Sequence, residues 1–480
     1  MDKDTTPLAT TPEAMTVVAA LIASAQQAQQ YYETYTQAKV DEVCLALGWA
    51  IMEPNRNRQL AELAVRDTGL GNVQDKISKN YRKTLGLLRD LAGKKSVGVI
   101  AEYPDLGLVE IARSVGVVAA ITPSTNPCAT PANKIINALK CRNAIIIAPS
   151  PKGTSTCALL LEFVHSQLEK VGFPAECAKG LVQMLPMPAS KALTHALMMQ
   201  ADLIVATGSQ ANVRAAYSSG TPAFGVGPGN VASIVDESAD LADAAEKLIQ
   251  SKTFDNATSC SSENSLVVVD KVYDAALAEL AKLGGVLLNQ EEKVKLQAAM
   301  WIDGRLTQTI TAQSASTIAS GAGLYRDVLR SAKVLLVEED GWGKNHPYSG
   351  EKLSPVLSVY RARDFEHASD IASEIYKYMG AGHSVSLHSR IPGRQMDLAC
   401  HLPVSRVIVN QAHSAATGGN FDNGLPFSLS MGCGTWGGNS FSKNMNYTHY
   451  MNITTISRRI ELRMPGEEEI FESYFEQYGR

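Results

Sequence analysis

The alternation of apolar, strand-like runs with helix-compatible segments constrains the fold of this chain more than any other feature. The runs rich in β-branched residues lie at 108–112, 115–121, 144–148, 181–185 and 203–207. Segments that favour helix lie between them, at 129–140, 152–171 and 190–200. A repeated strand–helix–strand order is the signature of a parallel sheet with helices on its faces. The pattern predicts a doubly wound domain of the dinucleotide-binding type, although no GxGxxG motif is present.

Helical segments precede this domain, and a second α/β unit follows it. Thr11 followed by Pro12 is typical of a helix N-terminus, and a second helical region is predicted from 38 to 66, ending at Gly69. The second unit is predicted as a helix at 236–252, a strand at 265–270, a helix at 272–283, strands at 334–337 and 354–360, and a helix at 365–377. A β-prone segment follows at 450–456.

The composition is that of an ordinary globular protein. In 480 residues, 45% are hydrophobic, 19% are charged and the formal net charge is -4, which excludes a disordered or strongly basic chain. The longest apolar runs are far shorter than the roughly 20 residues of a membrane span. Residues 1–12 lack the basic segment and apolar core of a secretory signal, and they do not support a microcompartment-targeting peptide. We therefore expect a cytoplasmic protein without nucleic-acid or membrane partners.

One cysteine differs from the others in its position. The eight cysteines are scattered without a CxxC pair, so neither a disulfide framework nor a metal site is expected, and most should be buried, reduced thiols. Cys260 lies between a predicted helix and an apolar strand. In such a connection a thiol can face a cleft while rigid elements hold its backbone. Cys260 is therefore a candidate nucleophile, whereas Cys433 is expected to be packed.

Three turns could complete a site around such a thiol. Asn126 follows an apolar strand and precedes a helix, where its amide could stabilise an oxyanion or simply form a turn. Gly208 and Ser209 join a strand to a helix, and the backbone donors there suit a phosphate group. The glycine-rich run at 224–230 permits close backbone approach, although glycine runs are also common in ordinary turns.

The order and spacing of these four features resemble the aldehyde dehydrogenase superfamily over about residues 15–465. Further segments are similar to the CoA-acylating branch, as in the aldehyde half of aldehyde-alcohol dehydrogenases: 67–72, 253–256, 351–356, 382–383 and 431–440. The resemblance implies a Rossmann-type cofactor domain over 1–235, an α/β catalytic domain over 236–440 and a return to the cofactor domain over 441–480. It also implies a small β oligomerisation element, made of a hairpin at 98–118 and a strand near 450–462. Because an exposed hairpin edge tends to pair, a homodimer or homotetramer is expected.

The resemblance also implies roles for individual residues. Cys260 would attack an aldehyde, and Asn126 with the backbone N–H of Cys260 would hold the resulting oxyanion. Hydride would pass to a nicotinamide dinucleotide and leave a thioester on the enzyme. The residues implied in cofactor binding are Thr125, Gly208, Ser209, Gly225, Glu351 and Pro355; of these, Glu351 matches the residue that holds the nicotinamide ribose.

Two departures from the family pattern refine the expectation. Hydrolytic members carry a glutamate at the position of Gly225 that activates water, and glycine cannot act as a base; the acyl group is therefore expected to pass to coenzyme A. The Lys-Pro-x-Glu turn of many NAD-using members is replaced by residues 148–152. No carboxylate stands there to repel a 2′-phosphate, and Ser150 and Lys152 could bind one. Both NADP and NAD therefore stay open.

The substrate is expected to be a short aldehyde. The helix start containing Asn133 and the strand end containing His413 favour an anion such as a sulfonate, which makes sulfoacetaldehyde the leading candidate and acetaldehyde the next. His383 is more typical of a structural histidine. One alternative is a hydrolytic enzyme with another base, such as Glu263. The other is a non-catalytic scaffold or filament protein, against which the presence of Cys260, Asn126 and Glu351 together argues.

Overall fold

A computed structural model describes residues 9–307 and 309–480. Residues 1–8, most of the segment considered above for a targeting signal, lie outside the described residues. Among the helices that are described, none is both long and apolar enough to cross a membrane. The helices are α1 (Pro12–Tyr32), α2 (Gln37–Met52), α3 (Pro54–Thr68), α4 (Val73–Leu91), α5 (Ala129–Lys140), α6 (Thr154–Lys170), α7 (Ala175–Leu181), α8 (Lys191–Gln200), α9 (Gln210–Ser218), α10 (Leu241–Thr253), α11 (Tyr273–Lys282), α12 (Gln290–Met300), α13 (Ala315–Gly321), α14 (Phe365–Tyr378), α15 (Arg394–His401), α16 (His413–Ala416) and α17 (Glu467–Tyr478).

The strands form two large parallel sheets and two small antiparallel ones. They are β1 (Gly98–Tyr103), β2 (Leu108–Ser114), β3 (Val117–Thr122), β4 (Ala144–Pro149), β5 (Val182–Met184), β6 (Leu203–Ala206), β7 (Ala223–Gly225), β8 (Val231–Val235), β9 (Glu263–Val269), β10 (Gly285–Leu287), β11 (Trp301–Ile302), β12 (Arg305–Leu306), β13 (Val334–Glu338), β14 (Val356–Ala362), β15 (Val385–His388), β16 (Val407–Val409) and β17 (Met451–Ser457). β11 and β12 form only a short hairpin.

The first large sheet confirms the predicted doubly wound domain. Its strand order is β5-β4-β3-β6-β7, and all its pairs are parallel. β3 and β4 are buried along their whole length because helices cover both faces. Lys134, on α5, donates to the carbonyl oxygens of Ile121 (2.8 Å) and Val205 (2.7 Å). It therefore ties β3 to β6 at the point where the strand order reverses, the place where such sheets bind ligands.

The second large sheet is also parallel, with the order β10-β13-β14-β9-β8-β15-β16. β9, β13 and β14 were predicted from their apolar runs. β8, β15 and β16 were not predicted, because they are short and their sequences lack a clear period. An all-parallel arrangement of two such sheets is the α/β architecture that the sequence predicted.

The β element predicted near 98–118 is present with different bounds. β1 and β2 form an antiparallel hairpin, and β17 pairs antiparallel with β2. The hairpin ends at Ser114, since residues 117 and 118 begin β3 of the first large sheet. The C-terminal strand ends at Ser457 rather than near 462. β17 is thus an edge strand whose outer side pairs with no other described strand.

Two helix predictions were wrong in their bounds. The region predicted as one helix from 38 to 66 is divided into α2 and α3, because Pro54 lacks an N–H and forces Glu53 out of the helical conformation (ψ 127°). The helix predicted from Asp236 begins only at Leu241, after its N-cap Asp240. Asp236 is instead buried, where it pairs with Arg394 and accepts from Ser238.

The domain boundaries predicted from the sequence, after 235 and after 440, stay predictions. β8, which ends at Val235, pairs within the second large sheet. Phe427, 1% exposed, already packs in the core around the first sheet, together with Met445 and Tyr450.

Candidate active site

A cavity of about 660 Å³ lies at the carboxyl edge of the first large sheet and faces the second unit. Its walls from the first unit are segments 121–126, 148–151 and 207–210, which follow β3, β4 and β6, together with residues from 189 to 195 around the start of α8. Its walls from the second unit are 258–260, Glu351 and Leu353. Leu429 and Met431, which follow Phe427, and the loop 226–228 complete the lining. The cavity therefore occupies the crevice where a doubly wound sheet binds a nucleotide.

Cys260 lies in this cavity at the end of a constrained connection. The three residues Asp255, Asn256 and Ala257 all adopt positive φ values, of 50°, 51° and 58°. Left-handed backbone is unfavourable for residues with a Cβ and persists only where surrounding contacts hold it. On the other side, a Cβ added to Gly229 would lie 1.8 Å from the carbonyl oxygen of Cys260. The backbone of Cys260 is therefore fixed on both sides while its side chain stays partly accessible.

The electrostatics keep the Cys260 thiol protonated at neutral pH. Burial, together with the nearby Glu351 and Cys433, raises its pKa to about 12, while a hydrogen bond with Ser261 and the charge of Arg406 oppose the rise. A thiol in this state is a weak nucleophile until it loses its proton. Proton loss must therefore accompany any attack by Cys260.

Asn126 lines the same cavity, and its amide has a defined orientation. Lys79 Nζ lies 2.8 Å from Oδ1 of Asn126, and Thr130 N donates to the Asn126 carbonyl. Because Oδ1 already accepts from a cation, the Nδ2 group is left to donate. The arrangement can therefore hold a negative oxygen that forms beside Cys260.

The residues predicted to bind a cofactor divide into two groups. Thr125, Ser150, Gly208, Ser209 and Glu351 line the cavity. Ser209 caps α9 by accepting from Asn212 N, and a Cβ at Gly208 would meet only that side chain, at 3.7 Å. The N-terminus of α9 is therefore open to a phosphate. Lys152, Gly225 and Pro355 lie outside the lining; Lys152 is exposed in the turn Pro151–Gly153, one residue beyond the cavity wall.

Two hydroxyls at the carboxyl edge fit a bound nucleotide. Thr122 Oγ1 and Ser150 Oγ are buried in the cavity wall, and within the described residues neither has a hydrogen-bond partner. A buried polar group without a partner is costly, unless a ligand supplies one. Glu351, partly buried in the opposite wall, has its pKa raised to about 8 by burial, against the effect of Lys252 and of the Gly229 N–H.

The position of Gly225 leaves no room for a catalytic side chain. Its N–H donates to Oη of Tyr217, and a Cβ at Gly225 would lie 2.6 Å from Cγ1 of Val213. Glu263, the other base considered, is buried outside the cavity lining and accepts from Ser251 Oγ at 2.5 Å. Burial raises its pKa to about 7. Neither residue can place a base beside Cys260 in this structure.

The two residues predicted to bind the substrate do not line the cavity. Asn133 is buried and accepts from Asn137 through its carbonyl oxygen. His413 is fully buried, its Nδ1 lies 2.7 Å from the Ser261 carbonyl, and burial lowers its pKa to about 4. His383 is also buried, and its Nδ1 lies 2.6 Å from Ser384 Oγ. The prediction of a sulfonate contact by Asn133 and His413 thus finds no support in the geometry.

Other residues of the site were not singled out by the sequence reasoning. Thr130, on the first turn of α5 in the helix start that was predicted to favour an anion, is only 1% exposed and lines the cavity. Lys76, Lys79 and Asp255 form a buried ion cluster below Asn126. The helical spacing of the two lysines was the only sequence signal for that cluster. Contact with Asp255, about 180 positions away, could not be read from it.

One group of side chains could hold a metal ion elsewhere. Among the described residues, Glu339, Asp340 and His346 bring their ligand atoms within 4.8 Å of one another. None of the three lines the cavity. Glu339 is buried and already paired with Lys293 at 2.9 Å, so the group is accounted for by this ion pair.

Comparison with known proteins gives one consistent family. A model described as "Aldehyde dehydrogenase family" matches residues 3–328. A sulfoacetaldehyde dehydrogenase (acylating) of Cupriavidus necator is 63% identical over 96% of this chain and 93% of that protein. Another of that description, from Bilophila wadsworthia, is 42% identical over 95% and 98%. The crystal structure of an acetylating aldehyde dehydrogenase from Geobacillus thermoglucosidasius superimposes with a TM-score of 0.89 at 36% identity, covering 95% of this chain and 99% of that one.

Proposed function

This chain belongs to the aldehyde dehydrogenase family, and from that premise we propose that it is a CoA-acylating enzyme that oxidises sulfoacetaldehyde to its acyl-CoA. One observation carries the proposal: Cys260 and Asn126 line a single cavity at the nucleotide-binding edge of the first sheet. The names of its close relatives support the same reaction. Acetaldehyde is the next candidate substrate.

The first covalent step joins Cys260 to the aldehyde. The sulfur bonds to the carbonyl carbon, the thiol loses its proton, and the carbonyl oxygen becomes an oxyanion. The Nδ2 group of Asn126 donates to that oxygen, together with the backbone N–H of Cys260. A nicotinamide dinucleotide, when bound, accepts the hydride that this adduct releases. Loss of hydride leaves a thioester between the acyl group and Cys260.

The second step transfers the acyl group away from Cys260. The Gly225 position holds no base, and the carboxylate of Glu263 does not line the cavity, so no side chain there activates water against the thioester. The thioester therefore persists until the sulfur of coenzyme A attacks it. The new carbon–sulfur bond forms on CoA as the bond to Cys260 breaks, and Cys260 regains a proton. Acyl-CoA is the product.

The cofactor is held by residues at the carboxyl edge of the first sheet. The N-terminus of α9, with Gly208 and Ser209, would hold the pyrophosphate, and Glu351 would accept from the nicotinamide ribose. Ser150 and the exposed Lys152 flank the position of the adenosine ribose. The absence of a carboxylate in segment 148–152 leaves room for the 2′-phosphate of NADP, so both NADP and NAD are taken as cofactors.

Thr130 gives the sulfonate a binding partner. Thr130 lines the cavity on the first turn of α5, close to Asn126, and is only 1% exposed. A hydroxyl donor and the positive end of a helix both favour an anion. The sulfonate of sulfoacetaldehyde is two bonds from the reacting carbon, and an alkyl aldehyde has no group to use this site.

The quaternary structure is a homodimer or homotetramer held through the three-stranded sheet. β17 presents an unpaired edge, and Ile453 and Ile456 on it are half exposed. An apolar free edge pairs readily with another strand. A second copy of the chain is the partner. The cytoplasmic location predicted from the sequence stays a prediction.

The test is a cofactor-reduction assay with purified protein. Sulfoacetaldehyde and acetaldehyde are each offered with NAD or NADP, with and without CoA. The proposal expects turnover only with CoA, loss of turnover in Cys260→Ala, and the highest kcat/KM with sulfoacetaldehyde. Steady turnover to free acid without CoA would support the hydrolytic alternative. No turnover with any pair, in a folded protein that forms filaments, would support the scaffold alternative.

A further inference from the structure

A buried cluster of charges lies directly beneath the oxyanion site. Lys79 Nζ lies 2.8 Å from Asn126 Oδ1, 2.5 Å from Asp255 Oδ2 and 3.3 Å from Thr258 Oγ1. Thr258 Oγ1 also donates to Asp255 Oδ2, over 2.8 Å. Lys79 thus joins Asn126 on one side of the cavity to the segment that leads into Cys260 on the other.

A second lysine in the cluster has different contacts. Lys76, one turn earlier on α4, lies 3.1 Å from Asp255 Oδ2 and donates to the carbonyl of Thr125. Both lysines and Asp255 are less than a tenth exposed. Two cations therefore share one carboxylate under the cavity floor. Only Lys79 of the two contacts the side chain of Asn126.

The ionisation of the cluster agrees with this geometry. Burial alone would raise the pKa of Asp255, but Lys79 and Lys76 hold it below its usual range. Burial and the proximity of Lys79 lower the pKa of Lys76 to about 8. Buried charges are tolerated only when paired. The cluster therefore carries a net positive charge when both lysines are protonated.

The contact with Lys79 decides which atom of the Asn126 amide can face an oxyanion. An ammonium group has hydrogen-bond donors only. Of the two polar atoms of the amide, it can therefore pair only with the oxygen, Oδ1. With Oδ1 held by Lys79, the Nδ2 donor is presented to the cavity. Without Lys79 the amide can rotate by half a turn and present its oxygen, which would repel a negative oxygen there.

The cluster also supports the backbone before Cys260. Asp255 accepts from Asn72 N over 3.0 Å, and Asn256 Nδ2 donates to the Ala312 carbonyl over 3.0 Å. These contacts hold the left-handed conformation of 255–257. Through its single Nζ atom, Lys79 thus holds both the amide of Asn126 and the segment that leads into Cys260.

We infer that Lys79 is a positioning residue of the reaction, which orients Asn126 as an oxyanion donor and ties it to the Cys260 segment. The inference rests on the proposed roles of Cys260 and Asn126. It does not depend on which aldehyde is used or on whether CoA or water accepts the acyl group.

The test measures acylation of Cys260 by p-nitrophenyl acetate, which needs neither cofactor nor CoA. The sulfur of Cys260 bonds to the acetyl carbon, p-nitrophenolate leaves, and the burst of phenolate gives the acylation rate through the same oxyanion. The acylation rate is compared in a double-mutant cycle, which consists of the wild-type chain, Lys79→Met, Asn126→Ala and the double variant. Lys76→Met is the matched control, because it also removes a buried cation from Asp255 but no contact with Asn126.

Lys79→Met is expected to slow acylation by about 10- to 100-fold, since loss of one oxyanion donor costs about 100- to 1000-fold. In the Asn126→Ala background the same change is expected to add less than about twofold, because its effect passes through Asn126. Lys76→Met is expected to slow acylation less than about threefold. If Lys79→Met does not fold, as judged by circular dichroism, Lys79→Gln is measured in the same cycle.

Equal and additive losses for Lys79→Met and Lys76→Met would overturn the inference, since they would reflect general loss of structure. If the losses in Lys79→Met and Asn126→Ala are not additive and the enzyme turns over without CoA, Lys79 keeps its role but the acylating function is rejected. If the losses in Lys79→Met and Asn126→Ala are additive and turnover strictly requires CoA, only the role of Lys79 is rejected. Absence of any burst in the wild-type chain would reject both.

Discussion

The backbone N–H of Gly225 donates to Oη of Tyr217 over 2.9 Å, and the Tyr217 ring fills the space where a side chain at 225 would lie. Side-chain atoms therefore fill the space in which a base was expected in hydrolytic relatives. A Cβ there would lie 2.6 Å from Val213 and 3.0 Å from the Tyr217 ring. The packing around β7, as well as the residue itself, thus leaves no place for a base at this position.

Gly225→Ala is expected to destabilise the protein by about 1–3 kcal/mol, because the added methyl overpacks a filled site. Gly225→Glu is expected to be at least as destabilising and to gain no hydrolytic turnover, because the side chains of Val213 and Tyr217 already fill the space beside Gly225. Urea unfolding gives the stability, and acid release without CoA gives the activity. Gly220→Ala, in a loop where a Cβ meets nothing within 4 Å, controls for the change of residue type, although its positive φ of 87° adds some strain. A stable Gly225→Glu enzyme that releases acid would contradict this account.

The reactivity of Cys260 is expected to rise with pH without a plateau below about pH 10. Its pKa is raised to about 12 by burial and by Glu351, and only the thiolate reacts. Iodoacetamide alkylation of Cys260, followed by mass spectrometry, measures this. A plateau near neutral pH would show a stabilised thiolate instead.

Glu351→Gln is expected to change the pH dependence of Cys260 alkylation only at high pH. Glu351 has a raised pKa of about 8, so it is mostly neutral at pH 6 and ionised at pH 9. Removing its charge should leave alkylation unchanged at pH 6 and speed it at pH 9, where the negative charge no longer opposes the thiolate. Slower alkylation of Glu351→Gln at pH 9 would contradict the electrostatic coupling of the two residues.

Thr130→Val is expected to lower kcat/KM for sulfoacetaldehyde by about tenfold, ~1.4 kcal/mol, and to leave kcat/KM for acetaldehyde within about twofold. Valine keeps the shape of threonine but lacks the hydroxyl that we propose for the sulfonate. Steady-state kinetics with both aldehydes measure the ratio. Thr122→Val removes an unpartnered hydroxyl elsewhere in the same cavity and should not change the ratio. An equal loss on both aldehydes in Thr130→Val would contradict the sulfonate site.

Ile453→Glu is expected to dissociate the proposed oligomer. The residue is 50% exposed on the edge strand β17, and a carboxylate there would have to be buried on association. Light scattering on the eluting protein should show the wild-type chain as a dimer or tetramer and the variant as a monomer at micromolar concentration. A monomeric wild-type chain would contradict the proposed use of β17.

The parts of the fold with a strong period could be predicted from the sequence. α5 was predicted at its observed bounds, and β3 and β4 within two residues, because their continuous apolar character is typical of a strand buried on both faces. β8 and β15 were missed because short strands with buried serines, Ser233 and Ser386, carry little apolar signal. β16 was missed because it has only 3 residues. The single helix predicted for 38–66 failed because the effect of Pro54 was overlooked.

The site could be predicted where it depends on local turns and not where it depends on distant contacts. Cys260, Asn126 and Ser209 each follow or precede a regular element, and all three line the cavity. Asn133 and His413 were wrongly expected in it, because polarity near a helix start or strand end does not say which way a side chain points. Contacts such as Lys79 with Asp255 join distant segments, so only the folded chain brings them together.

The most direct test of the central claim is the mass of the intact protein after incubation with sulfoacetaldehyde and oxidised cofactor, without CoA. The account predicts one sulfoacetyl group per chain, located on Cys260, that persists for many minutes and disappears when CoA is added. An adduct that decays to free acid at the same rate with or without CoA would contradict it. So would an acyl group carried by any residue other than Cys260.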